Sequence, residues 1–300
     1  MSTSPFRQAV IFGAGALGSW LGARLDPPAV LVARGEHAAA MREHGLRLGG
    51  IEDETVAVEV AEACPDVGPD ALVIAAVKTF DFEATIAALR PRLSDDTVVA
   101  VLANGLAPEL ELQRGLERPV VRIVAEFGAT RDGPGVVSAW GGRALLGPGD
   151  DEDRVAAALT PTGLTIVRVD DLRAVAWDKM AINCVANPLA ALTGARNRDL
   201  VAPQLEDLRR GVVAEVMAVA AAEGITMPPD TAARVDAMLS RSRNLNSMAQ
   251  DVLRGRPTEI DHLNGFVAAL GEHHGIDTPV NRWLADMVRL LVAAECGLPE

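Results

Sequence analysis

The stretch "QAVIFGAGALGSWLGARL", from Gln8 to Leu25, constrains the fold more than any other part of the chain. A short apolar run with β-strand character meets the glycines Gly13, Gly15 and Gly18, and a helix-forming run follows at once. Glycines spaced GxGxxG between a strand and a helix have separate duties. The first permits the tight turn, the second lets the backbone approach a pyrophosphate, and the third allows the helix to pack closely on the strand. The helix N-terminus favours the negative charge. Gly13, Ala14, Gly15, Ala16, Leu17 and Gly18 are therefore the candidate dinucleotide-binding loop. The competing reading is a glycine turn with no ligand.

The rest of the first half repeats strand and helix. "PAVLVAR", "DALVIAAVK" and "TVVAVLANG" read as strands, and "PVVRIVAEFGAT", "GVVSAWGGRALLG" and "LTIVRVD" as further strands. Strands alternating with helices imply βαβ units and a parallel sheet. Ligands of such sheets bind beyond the carboxyl ends of the strands. After the second strand stands Arg34, in "VLVARGEH", where an NAD enzyme usually has Asp or Glu. A guanidinium there can pair with the 2′-phosphate of NADP, which makes NADP(H) the expected cofactor. A surface arginine beside Glu36 is the alternative. Lys78 in "AAVKTFD" and Asn104 in "VLANGL" follow later strands, so both are candidates to face cofactor or substrate.

Near residue 169 the pattern becomes helical, which divides the chain into an α/β Rossmann-type dinucleotide-binding domain (1–169) and an all-α domain (170–300). The first helix of the second half contains "WDKMAINCVANPLAAL", with Lys179, Asn183 and Asn187 at spacings of four. At about 100° per residue these three share one helix face. Buried lysine is rare, and a cleft facing a cofactor would account for its retention and make it a candidate proton donor. Amides can orient a carboxylate or hydroxyl without adding charge. The alternative is a partly exposed face with a snorkelling lysine. Pro188 is expected to disturb the helix and free backbone groups beside the stripe. Further on, Ser247 and Asp251 are four apart on an expected helix. Thr258 reads as an N-cap with Glu259 in the first helical turn.

Composition narrows the function classes. The formal net charge of −13 argues against nucleic acid or an anionic membrane as the main partner. No apolar run is long enough to span a bilayer, and the N-terminal segment lacks signal-peptide character, so a cytoplasmic location is expected. Cys64, Cys184 and Cys296 show no metal-ligand spacing, and the five histidines show no zinc pattern, so no metal is expected. The chain has no tyrosine, which excludes every mechanism with a tyrosine general acid. Lys179 is left as the best proton donor for a reductase.

"VIFGAGALGSWLGARL", "VKTFD", "LANGL", "WDKMAINCVANPLAALTGARN" and "NSMAQDVLRGRPTEIDHLNG" occur in order along nearly the whole chain. In this they resemble the ketopantoate reductase (2-dehydropantoate 2-reductase) family. The resemblance implies a dinucleotide domain joined to an all-helical domain, with the active site in the cleft between them. It implies NADPH-dependent reduction of ketopantoate to pantoate, toward pantothenate and coenzyme A. On this likeness Lys179 is the general acid, and Asn183, Asn187, Asn197 and Ser247 bind the small 2-oxo acid. Asn104 contacts nicotinamide and substrate, and Glu259 lies by cofactor and substrate hydroxyls. Arg34 and Lys78 match basic residues of the NADP phosphate region, and Ala129 in "FGAT" matches a small residue lining the cofactor site. The strand pair around "SAWGGRALLG" matches only loosely. A related reductase of another small 2-oxo or 2-hydroxy acid is the runner-up, and a non-catalytic NADP-binding sensor a third reading. A helix-rich second half with apolar faces can also pair with a second copy as a homodimer.

Overall fold

The computed structural model describes residues 4–51 and 53–295, so Cys296 lies outside the described residues. The chain divides into two compact units, Met1–Leu172 and Arg173–Glu300. The first unit begins with β1 (Gln8–Phe12), α1 (Ala16–Gly22), β2 (Ala29–Val32), α2 (Gly35–His44), β3 (Leu46–Gly50), β4 (Glu54–Val56) and β5 (Glu59–Ala61). It continues with β6 (Ala71–Ala75), α3 (Phe82–Leu89), β7 (Val98–Val101), α4 (Pro108–Leu116) and β8 (Val120–Arg122). A six-stranded sheet runs β5-β2-β1-β6-β7-β8, and every pairing in it is parallel. The chain starts in the middle, builds outward to β5, then returns to the other side of β1. The order therefore reverses between β1 and β6, where doubly wound sheets open a ligand crevice.

Side chains alternate along each strand, so the sheet feeds two cores. Ala9, Ile11, Leu31, Leu72, Ile74 and Ala100 pack into one. Val10, Phe12, Val32, Val73, Ala75 and Val101 pack into the other, with Phe82 and Leu89 of α3 and Leu112 and Leu116 of α4. Burial on both faces is why these strands read as continuous apolar runs rather than as alternating ones.

The chain then leaves this sheet. β9 (Val124–Gly133), β10 (Val136–Leu146), α5 (Asp150–Leu159) and β11 (Thr165–Arg168) complete the unit. A second sheet has the order β11-β10-β3-β4, with β9 antiparallel to β10. One edge of β10 is shared by two neighbours: Val136–Ala139 pairs with β3, and Arg143–Leu146 pairs with β11. Its register against β9 shifts between Trp140 and Arg143, across Gly141 and Gly142. A side chain on Gly142 would collide with the Glu126 carbonyl, which is why the bulge is built from glycine. The sequence reading of "PVVRIVAEFGAT" as one strand needs correction. β8 belongs to the first sheet and β9 to the second, with Ile123 between them donating its N–H to the Val101 carbonyl at 3.0 Å. Strand propensity is continuous through Ile123, and only tertiary pairing makes the break.

In the second unit α6 (Leu172–Thr193), α7 (Glu206–Ala222), α8 (Thr231–Arg241), α9 (Ser247–Leu253), α10 (Asn264–His274) and α11 (Pro279–Glu295) are joined by short 3₁₀ turns and loops. The fold is a Rossmann-type α/β unit followed by an all-helical one. Glu215 of α7 accepts from the N–H groups of Val280 (2.8 Å) and Asn281 (2.9 Å), so α11 is capped by a neighbouring helix.

Candidate active site

The three glycines of the opening loop meet three different environments. Gly13 has φ +95°, and a Cβ on it would lie 2.5 Å from Val77 Cγ1 and 2.9 Å from the Ala76 carbonyl oxygen. Only glycine fits this turn against the end of β6. A Cβ on Gly18 would lie 2.5 Å from the Gly13 carbonyl oxygen and 2.9 Å from Ile11 Cγ2, so α1 sits directly on β1. At Gly15 a Cβ would meet nothing within 4 Å. Two glycines serve packing, and the exposed one between them leaves room for a ligand's phosphates. The loop therefore fits a dinucleotide pyrophosphate.

β2, β1, β6 and β7 are consecutive and parallel, so their carboxyl ends bring four loops to one edge. Arg34 is exposed there and occupies the N-cap position of α2. Lys78 is half-buried and precedes the 3₁₀ turn Thr79–Asp81. Asn104 is half-buried in the loop after β7. Ala129 is half-buried on β9, opposite Ala139.

Sequence reasoning missed Arg122, at the end of β8. Its side chain is 6% exposed, donates through Nη2 to the Gly105 carbonyl at 2.6 Å and through Nη1 to the Leu106 carbonyl. Glu109 of α4 lies 3.5 Å from Nη1. Burial lowers the affinity of this guanidinium for its proton, and the Glu109 carboxylate pulls it back up. One buried cation thus holds both carbonyls that follow Asn104.

In the second unit Lys179 and Asn183 are half-buried on α6, and Asn187 one turn on is 5% exposed. α6 runs unbroken to Thr193 despite Pro188. Proline at 188 has no N–H for the carbonyl four residues back, that of Cys184. The fully buried Asn264 supplies the missing donor, reaching the Cys184 carbonyl through Nδ2 at 2.9 Å. Asn264 Nδ2 also donates to Asn281 Oδ1 at 2.9 Å, and Asn281 Nδ2 donates to Glu215 Oε2 at 2.7 Å. At Pro188 the carbonyl that the proline leaves without its helical donor is thus satisfied by a side-chain network. The Cys184 thiol is fully buried, and burial raises its pKa far above the usual range, so it is no nucleophile.

A second asparagine relay draws together segments far apart in sequence. Asn246 caps α9, accepting from the Ala249 N–H at 3.1 Å. Its Nδ2 donates to the Ala186 carbonyl of α6 at 2.7 Å and to Asn197 Oδ1 at 3.1 Å, while Asn197 Nδ2 donates to Ser242 Oγ at 3.1 Å. Asn197 and the start of α9, where the exposed Ser247 sits, are therefore pinned beside the stripe helix. Glu259 is 6% exposed and occupies the N-cap position of the 3₁₀ turn Ile260–His262, with α10 starting only at Asn264. The expected helix start at Thr258 is replaced by this turn, whose His262 N–H donates to the Glu259 carbonyl at 3.0 Å.

Lys78 and Lys179 are the only lysines of the chain, and every other member of the 28 Lys and Arg residues is arginine. Arginine serves this chain wherever a fixed positive charge suffices. A lysine ammonium stands only in "AAVKTFD" and in "WDKMAINCVANPLAAL". Among the described residues no cluster of His, Cys, Asp and Glu could hold a metal ion, and no helix is long and apolar enough to cross a membrane.

Residues 9–150 match the family model described as Ketopantoate reductase PanE/ApbA, and residues 171–292 match Ketopantoate reductase PanE/ApbA C terminal. A 2-dehydropantoate 2-reductase of Archaeoglobus fulgidus is 33% identical over 299 residues, covering 96% of this chain and 98% of that protein. The crystal structure of a PanE/ApbA family ketopantoate reductase from Ralstonia eutropha JMP134 superposes with a TM-score of 0.89 at 32% identity, over 97% of this chain and 100% of that one. A D-mandelate dehydrogenase in a ternary structure with NADH and anilino(oxo)acetate has the same fold, with a TM-score of 0.89 at 23% identity over 97% of this chain and 100% of its own.

Proposed function

The chain belongs to the ketopantoate reductase family, and from that premise we propose that it reduces ketopantoate to pantoate with NADPH. The observation that carries the proposal is the line of Lys179, Asn183 and Asn187 on α6 in a chain that keeps only one other lysine. Arginine would supply charge there but could not give up a proton, whereas an ammonium does both.

The glycine loop would hold the pyrophosphate of a reduced dinucleotide, whose nicotinamide would supply the hydride. Negative charge then develops on the substrate's keto oxygen. Lys179 stabilises that charge and delivers the proton. Asn183, Asn187 and Asn197 hold the carboxylate and hydroxyl ends of the acid by amide donors and acceptors, and Ser247 adds a hydroxyl. Glu259 accepts from hydroxyl groups of substrate and cofactor. Gly13–Gly18 and Ala129 leave space for the dinucleotide, while Asn104 orients the reacting groups. Arg34 and Lys78 select the 2′-phosphate, which favours NADPH over NADH.

The test is NADPH oxidation with ketopantoate beside smaller 2-oxo acids, repeated with NADH. Ketopantoate with NADPH has the highest kcat/KM, and Arg34→Ala erodes the preference for NADPH. Turnover of a smaller 2-oxo acid but not of ketopantoate would reassign the substrate. Equal efficiency with NADH would remove Arg34 from cofactor choice.

A further inference from the structure

A buried imidazole in the first unit has no part in the chemistry above, yet every polar atom it carries is committed. His37 of α2 is 4% exposed, and Ser19 of α1 is fully buried. The Gly135 N–H, in the turn between β9 and β10, donates to His37 Nδ1 at 2.9 Å. An Nδ1 that accepts leaves the ring proton of a neutral imidazole on Nε2. Nε2 lies 3.0 Å from Ser19 Oγ and so donates to it. Ser19 Oγ passes its own hydrogen to the Ala14 carbonyl at 3.0 Å. All donor directions along this relay are fixed, and it ends inside the dinucleotide loop.

The relay is anchored at its far end as well. The Gly135 carbonyl accepts from the Arg47 N–H of β3 at 2.8 Å, and a Cβ on Gly135 (φ +67°) would come within 3.0 Å of Ala40 Cβ. The turn therefore lies tightly on α2. At the near end the Ala14 N–H donates to the Val32 carbonyl at 2.9 Å, so both peptide groups of Ala14 are held. A trans peptide points its carbonyl and its N–H in opposite directions. Fixing the Ala14 carbonyl on Ser19 consequently fixes the direction of the Gly15 N–H, which donates to the Gly13 carbonyl at 2.8 Å and closes the turn at the one glycine of the loop with open space around its Cα.

We propose that His37 and Ser19 are positioning residues for the dinucleotide: Ser19, held by the His37 ring of α2, sets the orientation of the Ala14–Gly15 peptide and thereby the shape of the glycine turn and its affinity for the cofactor's pyrophosphate. This rests on the dinucleotide reading of the loop. A purely structural polar pair would leave cofactor affinity alone once the protein is folded.

Two substitutions of His37 separate the halves of the relay. Asparagine places an acceptor near the Nδ1 position and keeps Gly135, but does not reach Ser19. Glutamine places a donor near the Nε2 position and keeps Ser19. NADPH and NADH binding is titrated by fluorescence for wild type, Ser19→Ala, His37→Asn and His37→Gln, with amide exchange of the Gly13–Gly18 segment followed without ligand. Loss of the bond to Ala14 in Ser19→Ala, and loss of the bond that orients the Ser19 hydroxyl in His37→Asn, each weaken cofactor binding about tenfold. The change falls on cofactor KM rather than on kcat, and exchange in the loop speeds up. His37→Gln restores both toward wild type. Wild-type affinity and loop exchange in Ser19→Ala and His37→Asn would overturn the proposal, as would a His37→Gln as weak as His37→Asn. If His37→Asn does not fold, Ser19→Ala decides alone. A wild-type chain that binds neither dinucleotide sinks the reading of the site, and the exchange rates then decide whether the relay orders the loop.

Discussion

Arg122 reaches back from the end of β8 and donates to the Gly105 carbonyl at 2.6 Å. A single side chain from one strand thereby shapes the loop that leaves its neighbour, β7, and so places Asn104. Arg122→Met should free the Gly105 and Leu106 carbonyls and loosen the loop, lowering kcat/KM by about tenfold while the protein stays folded. Arg122→Lys should recover only part of this, because one ammonium cannot reproduce a planar fork across two carbonyls. Steady-state kinetics beside thermal unfolding decide it; a fully active Arg122→Met would show that Asn104 needs no such support.

Lys179→Arg keeps the charge of the stripe and removes its titratable proton. Turnover should fall on the order of 10²–10⁴-fold, as it should in Lys179→Ala, while the cofactor dissociation constant stays unchanged. If the arginine variant turns over like wild type, Lys179 acts by charge alone and the proton comes from elsewhere.

The link between Pro188 and Asn264 can be read as a coupling energy. Asn264→Leu leaves the Cys184 carbonyl and Asn281 short of partners and should cost about 2–4 kcal/mol of stability. With Pro188→Ala an N–H becomes available to that carbonyl, so Asn264→Leu should cost about 1 kcal/mol less in that background. Urea unfolding of the four proteins of the cycle measures the difference. Strict additivity would mean that the Cys184 carbonyl finds a donor some other way.

His37 should leave a mark on the pH dependence of stability. Burial, and secondly Arg131, lower its pKa from 6.5 to about 4. Between those values the unfolded chain binds a proton that the folded chain refuses, so stability falls as pH drops through this window and levels off below it. Relative to His37→Gln, wild type should lose up to about 1.4 kcal/mol per pH unit between pH 6.5 and pH 4. Parallel stability curves for the two proteins would show that the imidazole stays free to protonate in the folded state.

The glycine turn and the polar stripe were legible because each is local. Gly13, Gly15 and Gly18 fall within one turn, and Lys179, Asn183 and Asn187 recur at helical spacing, so periodicity alone aligns them. Arg122 and His37 were not legible, because their meaning lies in partners distant in sequence. His37 finds Gly135 across 98 positions, and Arg122 finds Gly105 across 17. No propensity or spacing announces such pairs. The second sheet was hidden for a related reason. "LRLGG" is too glycine-rich to read as a strand, and it becomes one only when β10 supplies its partner. Asn246 caps α9, and nothing local shows that its amide also joins Asn197 to the Ala186 carbonyl.

The shared edge of β10 has a consequence for synthesis. β3 pairs with β4 on one side, but its other side waits for Val136–Ala139. At about 5–20 residues per second, the nascent chain grows for several seconds with that edge open. An open edge is a template for a strand of any other chain nearby. The hazardous interval in this protein's life therefore falls on the ribosome, between the emergence of Leu46 and that of Ala139. Slowing translation within that interval should promote aggregation, whereas a pause placed after Arg168, once β11 has emerged, should be harmless.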